Sequence, residues 1–191
     1  MTRRYRWQAP VFNLTRWPIL LGRRRLISHL QPTQRVVEIG CGTGHNLRPL
    51  QQAAGAASQV IGIECAATMA QRARRHAGPG IEILELEFGE QSAGTANAAV
   101  FSYALSMIPD YGTALDRIAE DLCPDGQILV LDFVDSPVPA IRRIMQGMGV
   151  HLGEDRWTAL RSRFEVSLER DFKAFGGLWN YRMLIGRQPT G

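Results

Sequence analysis

Residues 36–46 read Val-Val-Glu-Ile-Gly-Cys-Gly-Thr-Gly-His-Asn, and no other stretch restricts the fold as tightly. Val36 and Val37 are apolar and β-branched, the composition of a buried strand. Glu38 stands at the end of that strand, and Gly40, Gly42 and Gly44 follow at alternate positions. Glycine admits positive φ without steric cost and lets a ligand approach the main chain. A carboxylate beside so bare a loop predicts a small-molecule site. The spacing, Glu-x-Gly-x-Gly-x-Gly, differs from the Gly-x-Gly-x-x-Gly of dinucleotide sites. No Lys-Ser or Lys-Thr follows the loop, as a phosphate-binding P-loop requires.

Elsewhere apolar runs alternate with helical periodicity. Strands are expected over 35–39, 59–64, 81–88, 97–104 and 127–133, with helices over 45–52, 66–76 and 111–122. Upstream, apolar positions between Val11 and Leu30, interrupted by Pro18 and Gly22, predict two short helices ending at Gln31-Pro32. Downstream, helices are expected over 141–148 and 157–163, and segments 164–170 and 179–186 as an antiparallel pair closing the sheet. Strands joined by helices imply a mostly parallel sheet with right-handed crossovers. The expectation is a single α/β domain, a doubly wound seven-stranded sheet over 34–191, with an N-terminal helical lid over 1–33.

A chain of 191 residues suits one such domain. It has no uncharged apolar run of about 18 residues, so no transmembrane helix is expected. The arginine-rich N-terminus lacks a signal-peptide core, which points to the cytoplasm. Cys41, Cys65 and Cys123 are widely spaced and odd in number, fitting reduced thiols and no metal. The first 37 residues hold eight arginines and no acid, whereas Glu82 to Asp135 holds eleven carboxylates and only Arg117 as a cation. A basic entry segment of that kind suits an anionic partner such as a membrane surface.

In open α/β sheets ligands bind beyond the carboxyl ends of the strands. Glu64 ends the second strand, about twenty residues past the glycine loop, where an acid accepts hydrogen bonds from ribose hydroxyls. The glycine loop resembles motif I of class I S-adenosylmethionine-dependent methyltransferases. That ligand carries a sulfonium, an ammonium and a carboxylate but no phosphate, which suits Glu38. The resemblance implies a Rossmann-like methyltransferase fold, S-adenosylmethionine as cofactor, and cofactor contacts from Glu38, Gly40, Cys41, Gly42, Gly44, Glu64, Cys65 and Ser102. It also places Glu87 against the adenine amino group and Phe88 on the ring.

Phe101-Ser-Tyr-Ala-Leu-Ser-Met-Ile-Pro-Asp110 follows the fourth strand, where the family's motif IV faces the reacting methyl group. The Asn/Asp-Pro-Pro-aromatic sequence of nucleic-acid amino methyltransferases is missing there, so no nucleic-acid partner is expected. Tyr103 is the candidate catalytic orienter, with Met107 lining the channel. A narrower resemblance rests on Tyr-Arg-Trp-Gln-Ala-Pro at 5–10, Leu-Thr-Arg-Trp at 14–17, Leu-Gly-Arg at 21–23, the 101–109 segment, Asp-Phe at 132–133 and Phe-Gly-Gly-Leu-Trp at 175–179. Together these look like bacterial diacylglyceryl-homoserine N-methyltransferases of betaine-lipid synthesis. That resemblance implies a lipid-linked amine as acceptor, with Tyr5, Trp17, Met107, Trp179 and Tyr181 as substrate contacts and peripheral membrane association. The alternatives are a methyltransferase of a small soluble metabolite or quinone precursor, and a non-catalytic S-adenosylmethionine-binding module.

Overall fold

The computed structural model describes residues 20–89 and 91–189. Seven strands form one sheet: β1 (Arg35–Ile39), β2 (Gln59–Ile63), β3 (Ile81–Leu84), β4 (Ala96–Ser102), β5 (Leu122–Asp135), β6 (Glu165–Ala174) and β7 (Trp179–Arg187). Among the described residues six α-helices accompany them: α1 (Arg23–Ile27), α2 (Leu47–Ala54), α3 (Ala67–Ala73), α4 (Tyr111–Asp121), α5 (Pro139–Gly147) and α6 (Asp155–Arg161). The strand order is β3-β2-β1-β4-β5-β7-β6. β1 to β5 pair in parallel, and β7 runs antiparallel to both β5 and β6.

Both faces of the parallel half are covered, which explains its apolar runs in place of strict alternation. On one face Val36, Val100, Leu129 and Leu131 pack with Leu26 of α1 and with Leu47 and Leu50 of α2. On the other, Val37, Ile39, Phe101 and Val130 pack with Leu115 and Ile118 of α4 and with Trp157 and Leu160 of α6. The chain leaves β1 toward β2 on one side, and β4 flanks β1 on the other, so the order reverses between β1 and β4. A ligand crevice is expected at the carboxyl ends of those two strands.

Several boundaries differ from the sequence expectation. The third strand stops at Leu84 rather than Phe88, because its partner β2 ends at Ile63 and the ladder closes with the Glu64 amide donating to the Leu84 carbonyl at 3.0 Å. Phe88 then turns into the core beside Ile39 and Phe101. The helix before Pro32 spans only Arg23–Ile27, since Gly22 enters it at φ 84° and the amides of His29 and Leu30 form tighter i−3 bonds. The other upstream helix, together with Tyr5 and Trp17, lies outside the described residues. No helix among the described residues is long and apolar enough to cross a membrane.

Candidate active site

The three loop glycines serve different ends. All have positive φ (69° at Gly40, 59° at Gly42 and 80° at Gly44), which L side chains rarely adopt. A Cβ on Gly40 would lie 2.6 Å from the Ala104 Cβ, so this glycine lets the end of β4 close against β1. A Cβ on Gly44 would lie 3.1 Å from the Ala73 Cα. Gly42 has nothing within 4 Å and opens the loop to solvent. The middle glycine gives access; its neighbours give packing. Gly62, inside β2, makes room for the Cys41 thiol, whose Sγ would stand 2.9 Å from an added Cβ.

Two carboxylates flank the loop. Glu64 holds it in shape: Oε2 accepts from the Gly42 amide and Oε1 from the Ala66 amide, both at 2.9 Å. Glu38 is fully buried, and its Oε1 accepts from Asn46 Nδ2 at 2.6 Å. Its Oε2 is buried without a hydrogen-bond partner among the described residues. Burial, acting against the Asn46 hydrogen bond, pushes Glu38 up to about 7. Arg23, the first residue of α1, lies in the fields of Glu38 and Tyr103, and burial lowers its pKa. Its Nε is also buried and unpartnered, and no ion pair closes between Arg23 and Glu38 among the described residues. Burial raises the thiols as well, Cys41 strongly and Cys65 to about 11, which leaves both protonated and unreactive at neutral pH.

Further along the same edge the character changes. Tyr103 follows β4 at φ 57°, and its amide donates to the Leu131 carbonyl at 2.7 Å. Its ring lies 4.7 Å from Phe133 and 6.3 Å from Tyr181, and its hydroxyl donates to the Leu21 carbonyl at 2.8 Å. Tyr181 stands opposite Phe133 in the β5–β7 ladder and stacks on Phe172 at 5.2 Å. Because β7 is antiparallel to β5, its first residues Trp179 and Tyr181 sit at the carboxyl edge of the parallel strands. Trp179 is buried against Phe175 at 5.2 Å. Ser102 is buried with its hydroxyl unpartnered, and Met107 is half-buried beside Gly149. Beneath them Asp132 is fully buried, its Oδ2 accepting from the Ser106 amide at 2.8 Å.

The predicted residues therefore divide. Glu38, the glycine loop, Cys41, Glu64 and Cys65 converge on one end of the edge, and Ser102, Tyr103, Met107, Trp179 and Tyr181 on the other. Glu87 is exposed, near enough for its charge to raise the Cys65 thiol, and Phe88 is a core residue at its side. Asn46, Arg23 and Asp132 were not singled out as site residues. Asn46 had a signal: Asn at a helix entry is ordinarily a cap, yet here its amide turns to Glu38 and makes no cap bond. Asp132 was visible as a lone acid inside an apolar run, which implies a fixed partner.

A family model for a methyltransferase domain matches residues 16–176. The chain belongs to that family. It is an S-adenosylmethionine-dependent methyltransferase. The methyltransferase is 31% identical over 163 residues to aklanonic acid methyltransferase DauC of Streptomyces sp. (strain C5), covering 77% of this chain and 74% of that one. It is 26% identical to the 2-phytyl-1,4-naphtoquinone methyltransferase of Synechococcus elongatus, over 78% of this chain and 68% of the relative. Its fold matches that of N-methyltransferase NodS from Bradyrhizobium japonicum WM9, a structure in complex with S-adenosyl-L-homocysteine, with a TM-score of 0.69 and 17% identity over 88% of this chain and 85% of the other.

Proposed function

We propose that this methyltransferase alkylates a small apolar acceptor, of aromatic or quinone-precursor type, seated at the Tyr103–Phe133–Tyr181 end of the edge. The observation that carries the reading is the continuity of the two ends: Ala104, next to Tyr103, closes on Gly40 of the loop. The names of DauC and the naphthoquinone enzyme support an acceptor of this class.

The residues present fit the cofactor. S-adenosylmethionine, when bound, supplies an electrophilic methyl group on a sulfonium. The free Oε2 of Glu38 accepts a hydrogen bond from an ammonium, and Gly42 leaves the main chain bare to a close-lying ligand. Oε2 of Glu64 keeps a lone pair for a ribose hydroxyl beyond its bond from Gly42, whereas Oε1 accepts from both the Ala66 amide and the Cys65 thiol. Glu87, Phe88 and Cys65 bound the adenine end. At the other end the aromatic wall excludes water and orients the acceptor, an effect worth roughly 7–11 kcal/mol when geometry is well held. Each ring facing a cation adds about 0.5–1 kcal/mol. The Ser102 hydroxyl is free to donate to the acceptor. Of the lid expected over residues 1–33, the described part is anchored by the buried Leu26, Ile27 and Leu30.

A second reading, methylation of a lipid-linked amine, is favoured by exposed Ile144, Phe175 and Leu178 and by exposed Arg24 and Arg25. In it, the basic segment rests on an anionic membrane, each cation contributing about 1 kcal/mol. Incubating the purified chain with S-adenosylmethionine and either hydroxylated naphthoquinones or aminolipid vesicles, with products read by mass spectrometry, separates the two. Methylated quinone supports the first reading; methylated lipid alone overturns it.

A further inference from the structure

We propose that Arg25 and Arg170 hold an oxyanion against the Phe172 ring, and that this anion, a carboxylate or phosphate, belongs to the acceptor. On the acceptor reading above, on which this rests, the ring seated at Tyr103 and Tyr181 carries an anionic substituent. Tyr181 stacks on one face of Phe172 at 5.2 Å. What is left of that ring is shared by two guanidiniums, the Arg25 Cζ 4.8 Å from its centroid and the Arg170 Cζ 5.4 Å. Each cation is attracted to the ring, but two like charges gathered on one ring repel. Neither arginine forms an ion pair among the described residues. An oxyanion between them removes the repulsion and suits their planar, forked donors.

The sequence withholds internal acids from this face of the sheet. Leu168 and Phe172 pack on the core shared with α1, and Arg170 lies on their side of β6. Glu169 and Asp171 alternate to the other side, where Glu169 accepts from Arg161 at 2.9 Å and Asp171 from Arg182 at 2.8 Å. Across the ladder Arg170 stands opposite Met183, and Phe172 opposite Tyr181. The helices packed on this face, α1, α2 and α5, and the neighbouring strand β7 contain no Asp or Glu. By contrast α4 and α6, on the opposite face, carry Asp116, Glu120, Asp121 and Asp155. The chain ahead of α1 brings no acid either, since Glu38 is the first one in the sequence and is buried on Asn46. A fixed counter-charge for Arg25 and Arg170 therefore arrives with a ligand. The pair lies one ring beyond the acceptor wall, because the Tyr181 ring under Phe172 is 6.3 Å from Tyr103. Arg25 comes from α1 and Arg170 from the edge strand, so an anion held by both ties α1 to the sheet beside the acceptor.

Two measurements on the full chain test this. Phenylglyoxal footprinting, read residue by residue by mass spectrometry, compares inorganic phosphate with chloride at equal ionic strength and needs no acceptor. Phosphate is expected to protect Arg25 and Arg170 together and to leave the exposed Arg24 and Arg143 as reactive as before. No protection of the pair, or equal protection of all four, overturns the site. Turnover is then compared for hydroxynaphthoquinones bearing an alkyl chain that ends either in a carboxylate or in a methyl group. The kcat/KM preference for the carboxylate is expected to fall about fivefold in Arg25→Gln and in Arg170→Gln, the upper end for an exposed ion pair. Arg143→Gln is expected to keep it. A wild type that methylates both chains without preference overturns the acceptor as the source of the anion. Protection of the pair by phosphatidylglycerol vesicles, with no carboxylate preference in turnover, assigns the anion to a lipid headgroup and overturns it as well. Failure to methylate either chain while phosphate still protects the pair overturns the acceptor reading and leaves the anion site standing.

Discussion

The two ends of the carboxyl edge are built on opposite principles. At the β1–β2 end the backbone is tightly specified, with three left-handed glycines, while charged atoms are left without partners. At the β4–β5–β7 end the side chains fill the space themselves, and Tyr103, Phe133, Tyr181 and Phe172 pack ring against ring. The first end is incomplete without a ligand of fixed chemistry. The second is nearly self-sufficient, so its chemistry can drift without unfolding the sheet. The difference predicts that changes at the first end abolish cofactor binding, and changes at the second alter stability or acceptor choice.

The largest effect is expected from Gly40→Val. Its φ of 69° and the 2.6 Å approach to Ala104 leave no room for a side chain. Strain of about 1–3 kcal/mol adds to overpacking of similar size. Calorimetry is expected to show no S-adenosylhomocysteine binding, and survival of binding would break the division.

Next comes Glu38. Its pKa, raised to about 7, means that the folded protein holds a proton that the unfolded chain has released above about 4.5. Stability of the ligand-free protein therefore falls as pH rises from about 4.5 to 7, by about 3 kcal/mol at most. Glu38→Gln is expected to remove that slope, as read by urea unfolding at pH 5 and pH 8.

At the other end, Trp179→Ala is expected to destabilise by roughly 3–5 kcal/mol, the usual cost of emptying a large aromatic site. S-adenosylhomocysteine affinity is expected to stay within about twofold of wild type, since 1.4 kcal/mol is needed for a tenfold change. A loss of affinity larger than this would join the two ends energetically. The smallest effect is reserved for the exposed Arg74–Glu85 pair at 2.9 Å. Glu85→Gln is expected to shift unfolding by less than about 1 kcal/mol.

The parallel half was legible because its signals are local. Val36-Val37, the glycine spacing and the terminal acids each sit within one strand–loop unit, and strands β1 and β2 appear within one residue of expectation. The closing β6–β7 pair was also visible, in its two apolar segments. What the sequence could not show depends on distant partners. The end of β3 is set by the end of β2, the short α1 by a glycine turn packed on Tyr181, and the engagement of Tyr103 by a carbonyl 82 residues earlier. Arg23 was read within the Leu-Gly-Arg run at 21–23 and the basic entry segment and not as a site residue, because its burial in the field of Glu38 depends on how α1 docks. Chemistry carried by one loop is readable, and chemistry assembled across elements is not.

Whether the orphaned carboxylate at the end of β1 receives the cofactor's ammonium is decided by S-adenosylhomocysteine binding at pH 6 and pH 8. An ammonium favours ionised Glu38, so wild-type affinity is expected to rise toward pH 8, by up to about tenfold per unit below the pKa, and Glu38→Gln is expected to bind weakly at both. Wild-type affinity that is equal at the two pH values, or a Glu38→Gln variant that retains the rise, would contradict the account.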